Sequence, residues 1–227
     1  SVPTASNNIT ISATDSVKLS SDITMNAGKT FTVNGKFDVD TVSISGTGNF
    51  VLSAGATIYT AKTTGLNGSI ATATKSLSGA ANYVFDGTEA QLSSGLPSTL
   101  TGNITVANAA GLSWDASKTI NTPGTVTVNS GAKLSFGSPT VPYSINGTGN
   151  FTAKTGSTIV ITSSAGIAAS GNNAGSMRLS GTRTFENNVN YTFSKFDLST
   201  GLLKSYFGSA FGTEITSINN LTIDNPR

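Results

Sequence analysis

Gly46-Thr47-Gly48-Asn49-Phe50 and Gly147-Thr148-Gly149-Asn150-Phe151 are one pentapeptide met twice, offset by 101 residues (46 to 147), in a chain without histidine or cysteine. The likeness spreads outward from it. Ahead, Met25-Asn26-Ala27-Gly28-Lys29-Thr30-Phe31-Thr32-Val33 aligns with Val128-Asn129-Ser130-Gly131-Ala132-Lys133-Leu134-Ser135-Phe136. Behind, Ala54-Gly55-Ala56-Thr57-Ile58 aligns with Thr155-Gly156-Ser157-Thr158-Ile159, and Asn82-Tyr83-Val84-Phe85 with Asn190-Tyr191-Thr192-Phe193. The last match, Asn103-Ile104-Thr105-Val106 with Asn220-Leu221-Thr222-Ile223, stands at an offset of 117 (103 to 220). A growing offset means insertion between matched strands, which stacked architectures tolerate because inserts leave from one face. The expectation is one domain over residues 1–227 holding two long composite copies, about 22–115 and 125–227.

Within each copy the apolar spacing is two. Phe31 and Val33, Phe37 and Val39, and Val42 and Ile44 alternate with Thr, Asp or Ser, and Thr125-Val126-Thr127-Val128 does the same, the mark of half-buried strands. Asn34-Gly35, Ala27-Gly28, Ser130-Gly131 and Asn146-Gly147 stand between the runs and accept the positive φ of tight corners. Asn-Gly also suits two-residue hairpins, so antiparallel pairing is open for any single pair; it accounts for the rhythm but not for the matched blocks. A solenoid accounts for both, because each strand stacks on its equivalent in the next coil. The fold class expected is all-β, a β-solenoid of roughly nine or ten coils at about 20 to 29 residues each, forming a rod about 45 Å long at about 4.8 Å per coil.

Gly46, Gly48 and Gly55 are expected at sharp corners and close approaches, with Phe50, Leu52, Ile58 and Phe85 filling the interior and Tyr83 and Tyr191 stacked as a ladder. The second copy departs from the first across Ala165 to Thr184 and Phe196 to Gly212. Of these, Ala165 to Gly175 and Phe196 to Gly212 are expected to project as loops or a short helix, since Phe196, Leu198, Leu202, Leu203, Tyr206 and Phe207 fall near helical spacing. Asn219 to Asn225 reads as the start of another coil, so the chain is expected to be a segment of a longer, multi-module protein.

Composition narrows the function classes. Charged residues are 11% of the chain and the formal net charge is +2, with Lys18, Lys29, Lys62, Lys75, Lys118, Lys133 and Lys154 scattered singly. That excludes the concentrated basic footprint of nucleic-acid binding. No apolar run approaches the ~20 residues of a membrane helix, and no basic-plus-apolar signal segment opens the chain. Without histidine and cysteine, the usual nucleophile–base pairs and most transition-metal sites are missing.

What remains is carboxylate or lysine chemistry. Asp38 and Asp40, two apart on one strand, form a pair that fits acid–base work or a Ca²⁺ ion; the Asp86 to Glu89 turn and Lys195 with Asp197 are the other candidates. Each stands without the Arg or third carboxylate that completes a site, so these groups read as solvated faces, and no catalytic, cofactor-binding or metal-binding residue is assigned. Trp114, the single tryptophan, lies beside Asp115; a lone Trp between a Leu-Ser pair and a turn reads as a core or edge-packing residue, the alternative being an exposed indole that stacks on a sugar ring. Threonines at 10, 24, 30, 32, 105, 125 and 127 suit any solvated sheet and wander between positions, whereas an ice-binding face needs Thr-x-Thr at one position in successive coils. Sequons at Asn8, Asn67, Asn103, Asn146, Asn190 and Asn220 are matched by chance in a chain so rich in Asn, Ser and Thr.

The opening Pro3-Thr4-Ala5-Ser6-Asn7-Asn8-Ile9-Thr10-Ile11 with Val17-Lys18-Leu19, the Gly46 to Phe50 signature, Gly65-Leu66-Asn67-Gly68-Ser69-Ile70, Asn82 to Gln91, Gly95-Leu96-Pro97 and Asn103 to Val106 together resemble modules of large secreted and surface proteins of Bacteroidetes. Such modules are tandem in adhesin-like proteins exported by the type IX route. The resemblance implies a right-handed parallel β-helix at the outside of a bacterial cell, with O-glycans on Ser or Thr after Asp, a pattern fitted by Asp15-Ser16-Val17 and Asp40-Thr41-Val42. The expected function is a non-enzymatic structural or adhesive module, a monomeric segment without cofactor, whose partners are glycans or other surface proteins and not nucleic acid or a membrane. A carbohydrate-binding or polysaccharide-active β-helix is the alternative and an ice-binding solenoid the lesser one.

Overall fold

The strands all pair in parallel, and each pairs with a strand that the chain reaches only after a long excursion. The computed structural model describes residues 2–138, 140–163, 166–167, 175–194 and 218–224. The first pass of the chain lays down β1 (Thr4–Ala5), β2 (Ile9–Ile11) and β3 (Ser16–Lys18), and the second β4 (Ile23–Met25), β5 (Thr30–Val33) and β6 (Lys36–Asp38). The third comprises a nine-residue β7 (Ile44–Leu52) and β8 (Thr57–Thr60), followed by a five-residue helix α1 (Gly65–Ser69). Next come β9 (Ile70–Leu77), β10 (Asn82–Phe85) and β11 (Gln91–Leu92), then β12 (Thr99–Leu100), β13 (Ile104–Val106) and β14 (Leu112–Ser113). The last full passes are β15 (Lys118–Ile120), β16 (Thr125–Val128) and β17 (Lys133–Ser135); β18 (Ile145–Gly147), β19 (Asn150–Ala153) and β20 (Thr158–Ile161); and β21 (Met177–Leu179), β22 (Arg183–Phe185) and β23 (Asn190–Phe193), with β24 (Leu221–Ile223) beyond.

Four sheets collect these strands. The first holds β1, β4, β7, β5, β2 and β9; an eight-stranded sheet runs β22-β19-β16-β13-β10-β8-β6-β3; a third runs β11-β14-β17-β20-β23-β24; and a fourth runs β12-β15-β18-β21. Partners lie about one pass apart, 20 residues for Thr4 and Thr24 and 22 for Ile104 and Val126. All twenty pairings are parallel. The hairpin alternative for Asn34-Gly35 fails accordingly: the strands on either side, β5 and β6, belong to different sheets. The described residues are thus nearly all parallel sheet, with almost no helix, an all-β arrangement.

Alternation explains the interior. Phe31, Val33, Phe37, Ile58, Tyr83, Phe85, Val126, Leu134, Phe151 and Ile159 are buried while their neighbours in sequence are half-exposed. Side chains from different sheets meet there: the ring of Phe37 from the eight-stranded sheet lies 5.0 Å from that of Phe31 on the first, and Phe185 lies 6.4 Å from Tyr191 on the third. The expected Tyr83–Tyr191 ladder does not exist, because the two tyrosines sit on different sheets; the ladder is Phe31 on Phe50, centroids 5.8 Å apart and in register across β5 and β7.

Asparagine does a second job that alternation does not announce. Asn82 Oδ1 accepts from Asn103 N, Asn103 Oδ1 from Thr125 N and Asn150 Oδ1 from Thr182 N, at 3.0, 3.1 and 2.9 Å. Each ties the amide at the head of one strand to the pass before it, satisfying a donor that strand pairing leaves open. The stretches expected to project, 165–175 and 196–212, lie outside the described residues except 166, 167 and 175. Downstream of the first, part of the divergent stretch is regular: Met177–Leu179 and Arg183–Phe185 are strands of the fourth and eight-stranded sheets.

Candidate functional site

Asp38 and Asp40 do converge, and Lys18 converges with them. Lys18 and Asp38 are register partners across β3 and β6, so period-two geometry puts both side chains on the outer face. Lys18 Nζ lies 3.1 Å from Asp38 Oδ2 and 2.8 Å from Asp40 Oδ2. Asp40 has φ 51°, and its amide donates to Asp38 Oδ1 at 2.9 Å, so a local turn folds the second carboxylate back toward the first. Hydrogen bonds to Asp40 and then Asp38 hold the ammonium pKa above its usual range. The pair is already occupied by a cation of the chain. Sequence spacing finds the two carboxylates but misses Lys18, which is visible only once β3 and β6 are known to be neighbours.

Asp86 follows β10 on the same sheet. Although its side chain reaches the surface, partial desolvation pushes its carboxyl up, and the charge of Asp38 adds to the effect. The turn from Asp86 to Glu89 is organised from below by buried amides: Gln91 Oε1 accepts from Gly87 N at 3.0 Å and from Asn108 Nδ2 at 2.9 Å, while Gln91 Nε2 donates to Thr60 O at 2.8 Å. Asp86 and Glu89 themselves are exposed, and among the described residues no three His, Cys, Asp or Glu gather as a metal site. Lys195 and Asp197 lie outside the described residues.

Trp114 is 1% exposed, a core side chain as the run around it suggests and not a platform for a sugar, its Nε1 without a hydrogen-bond partner among the described residues. Asp115 is engaged by Ser93 Oγ, which donates to Asp115 Oδ1 at 2.7 Å. The open hollow above them, about 240 Å³ and lined by Leu92, Asp115, Ser138 and Tyr143, is smaller than the ~300–1,000 Å³ of ordinary ligand pockets. Sequon asparagines are structural: Asn8 Oδ1 accepts from Thr30 N and Asn67 Nδ2 donates to Ser94 Oγ, at 3.0 and 2.6 Å. Ser16 and Thr41, in the two Asp-Ser/Thr motifs, are exposed.

The chain matches no family model, no curated protein and no solved structure. Its faces therefore carry the functional argument alone, and one of them sets several threonines in register. Thr105, Thr127, Thr152 and Thr184 are successive register partners on β13, β16, β19 and β22. Two positions earlier on the same strands stand Asn103, Thr125, Asn150 and Thr182, with Thr125 the partner of Asn150. Of the threonines scattered in the sequence, Thr105 and Thr127 thus fall into one file with Thr152 and Thr184, Thr125 stands in the neighbouring file, and Thr10, Thr24, Thr30 and Thr32 belong to the first sheet. Among the described residues no helix is long and apolar enough to cross a membrane.

Proposed function

We propose that the chain is a right-handed parallel β-helix acting as a structural or adhesive module of a larger secreted or bacterial cell-surface protein of the kind it resembles among Bacteroidetes. The observation that carries this reading is the unbroken eight-strand parallel sheet, whose inward side chains join one apolar core with those of its neighbours. Parallel crossovers are right-handed in about 98% of cases, which supports the hand. Outer positions filled by Thr, Asn and Ser, with the Lys18 charge already paired to Asp38 and Asp40, suit a stiff spacer that presents a polar flank. Glycans or other surface proteins are the partners this flank fits.

The test is whole-cell and glycan-array binding by the purified chain, alongside incubation with bacterial, algal and plant polysaccharides. Binding without product release is expected. Release of reducing ends or unsaturated sugars, lost in Asp38→Asn, would replace the module reading with an enzyme.

A further inference from the structure

We propose that the outer face of the eight-stranded sheet across β13, β16, β19 and β22 binds ice. The file Thr105, Thr127, Thr152, Thr184 repeats once per strand, about 4.8 Å apart, and the parallel file Asn103, Thr125, Asn150, Thr182 lies two residues along, about 6.6 Å away. The prism faces of hexagonal ice repeat their oxygens at spacings close to both. A β-branched side chain on a strand has restricted χ1, so the four hydroxyls and four methyls of the threonine file stand in regular order without an entropic cost of arranging them.

Two further observations point the same way. None of the four threonine hydroxyls, nor those of Thr125 and Thr182, makes a hydrogen bond within the described residues, whereas Asn103 and Asn150 spend their Oδ1 on Thr125 N and Thr182 N. Among the described residues nothing else engages these hydroxyls. Second, from Thr57 and Tyr59 on β8 to Thr182 and Thr184 on β22 neither file contains a charge; charge begins at Lys36 and Asp38 on β6 and, along the strands, at Asp86, Lys154 and Glu186, two residues beyond the threonine file. Charged groups orient water about themselves and break a lattice-like first layer, so a charge-free grid suits an ordered aqueous solid. A sugar chain is a poorer fit, because β13 to β22 present no aromatic ring for stacking on this face and no carboxylate within the two files.

This inference goes beyond the display reading and does not rest on it. The experiment is ice shaping and inhibition of recrystallisation by the purified chain, with Thr127→Tyr/Thr152→Lys as the double variant and Thr10→Tyr/Thr32→Tyr, on the first sheet, as the control for an equally hydroxylated face. Thermal melts establish that both variants fold. Faceted ice growth and slowed recrystallisation by the native chain, lost in the first variant and kept in the second, are expected. No effect of the native chain on ice, an undiminished effect in Thr127→Tyr/Thr152→Lys, or equal loss in both variants would each overturn the assignment.

Discussion

The two Gly-Thr-Gly-Asn-Phe stretches share their local geometry and not their place. Gly46 and Gly147 have φ 105° and 107°, and a Cβ on either would meet a backbone carbonyl of the preceding pass, Met25 O or Ile120 O. Gly48 and Gly149 are equally hemmed in: an added Cβ would lie 2.6 Å from Asn26 O or 2.7 Å from Ile120 Cγ2. Yet residues 46–50 run within β7 of the first sheet, while 147–151 lead from β18 on the fourth sheet to β19 on the eight-stranded one. The later blocks shift likewise: Ile58, Tyr83 and Ile104 belong to the eight-stranded sheet, Ile159, Tyr191 and Leu221 to the third. The pentapeptide encodes a bend and an inward ring, and the stack decides which wall they join. The change of wall follows the end of the first sheet at β9, after which Thr101 N and Gly102 N donate to Gly79 O at 2.8 and 2.9 Å and a new sheet starts with β12.

The sharpest test of that difference is the ring itself. Phe50 has two aromatic neighbours, Phe31 at 5.8 Å and Phe37 at 6.3 Å, whereas Phe151 has Phe185 at 5.5 Å. Phe50→Ala and Phe151→Ala are each expected to cost about 3–5 kcal/mol. The first is expected to cost more, by roughly one aromatic pair, about 0.5–1.5 kcal/mol. Denaturant titration measures both, and an equal or reversed order would mean that the two interiors are energetically alike.

The corners come next. Gly147→Ala meets positive φ and backbone together, about 1–2 kcal/mol for the conformation with about 1–3 more for overpacking. Gly55→Ala meets positive φ alone, since nothing lies within 4 Å of the added methyl, and is expected to lose only the conformational part. Comparable melting shifts for the two variants would show that the close approach at the pentapeptide is not what fixes its glycines.

Much of this was legible in the chain. Period-two alternation identified the buried faces, and Gly46, Gly48 and Gly55 were read as corners for reasons the backbone bears out. Pairing is not legible, because register is a relation between strands 19 (Phe31 and Phe50) to 32 (Phe151 and Arg183) residues apart and loop lengths vary between them. The sequence therefore does not show Lys18 beside Asp38 and Asp40, nor Thr105, Thr127, Thr152 and Thr184 in one register. Trp114 was ambiguous for another reason: a Leu-Ser-Trp-Asp run alternates correctly with the indole inside, but so short a run at a turn does not declare which face is inward.

A weaker effect separates the buried lysine of the later passes from the exposed one of the first. Lys118 is 6% exposed, donates to Leu96 O at 2.9 Å, and has its pKa lowered by burial. Because the folded state disfavours the charged form, stability is expected to rise with pH through the folded pKa toward the unfolded value of 10.5. The gain has to be read below about pH 10, where Tyr83 and Tyr191, both pushed up by burial, begin to act in the opposite direction. Lys118→Met is expected to flatten the rise in a series of melts at increasing pH; an unchanged slope would assign it to other groups.

The smallest effect belongs to Lys18. Its raised pKa has the opposite sign: the stabilisation is complete below the unfolded value of 10.5 and is lost as pH rises through the higher folded value. The side chain is 61% exposed, against 26% and 37% for Asp38 and Asp40, and solvent screening leaves such pairs nearly without net worth. Lys18→Ala is expected to leave the melting temperature of the chain within error at neutral pH, and to raise the pH at which Asp86 titrates, since Lys18 is one of the charges holding that carboxyl down. NMR titration of the Asp86 carboxyl reads this directly. A large drop in melting temperature would show that β3 depends on the pair for its place at the end of the eight-stranded sheet, where Val17 is already 38% exposed, and would make the outermost strand the least secure part of the stack.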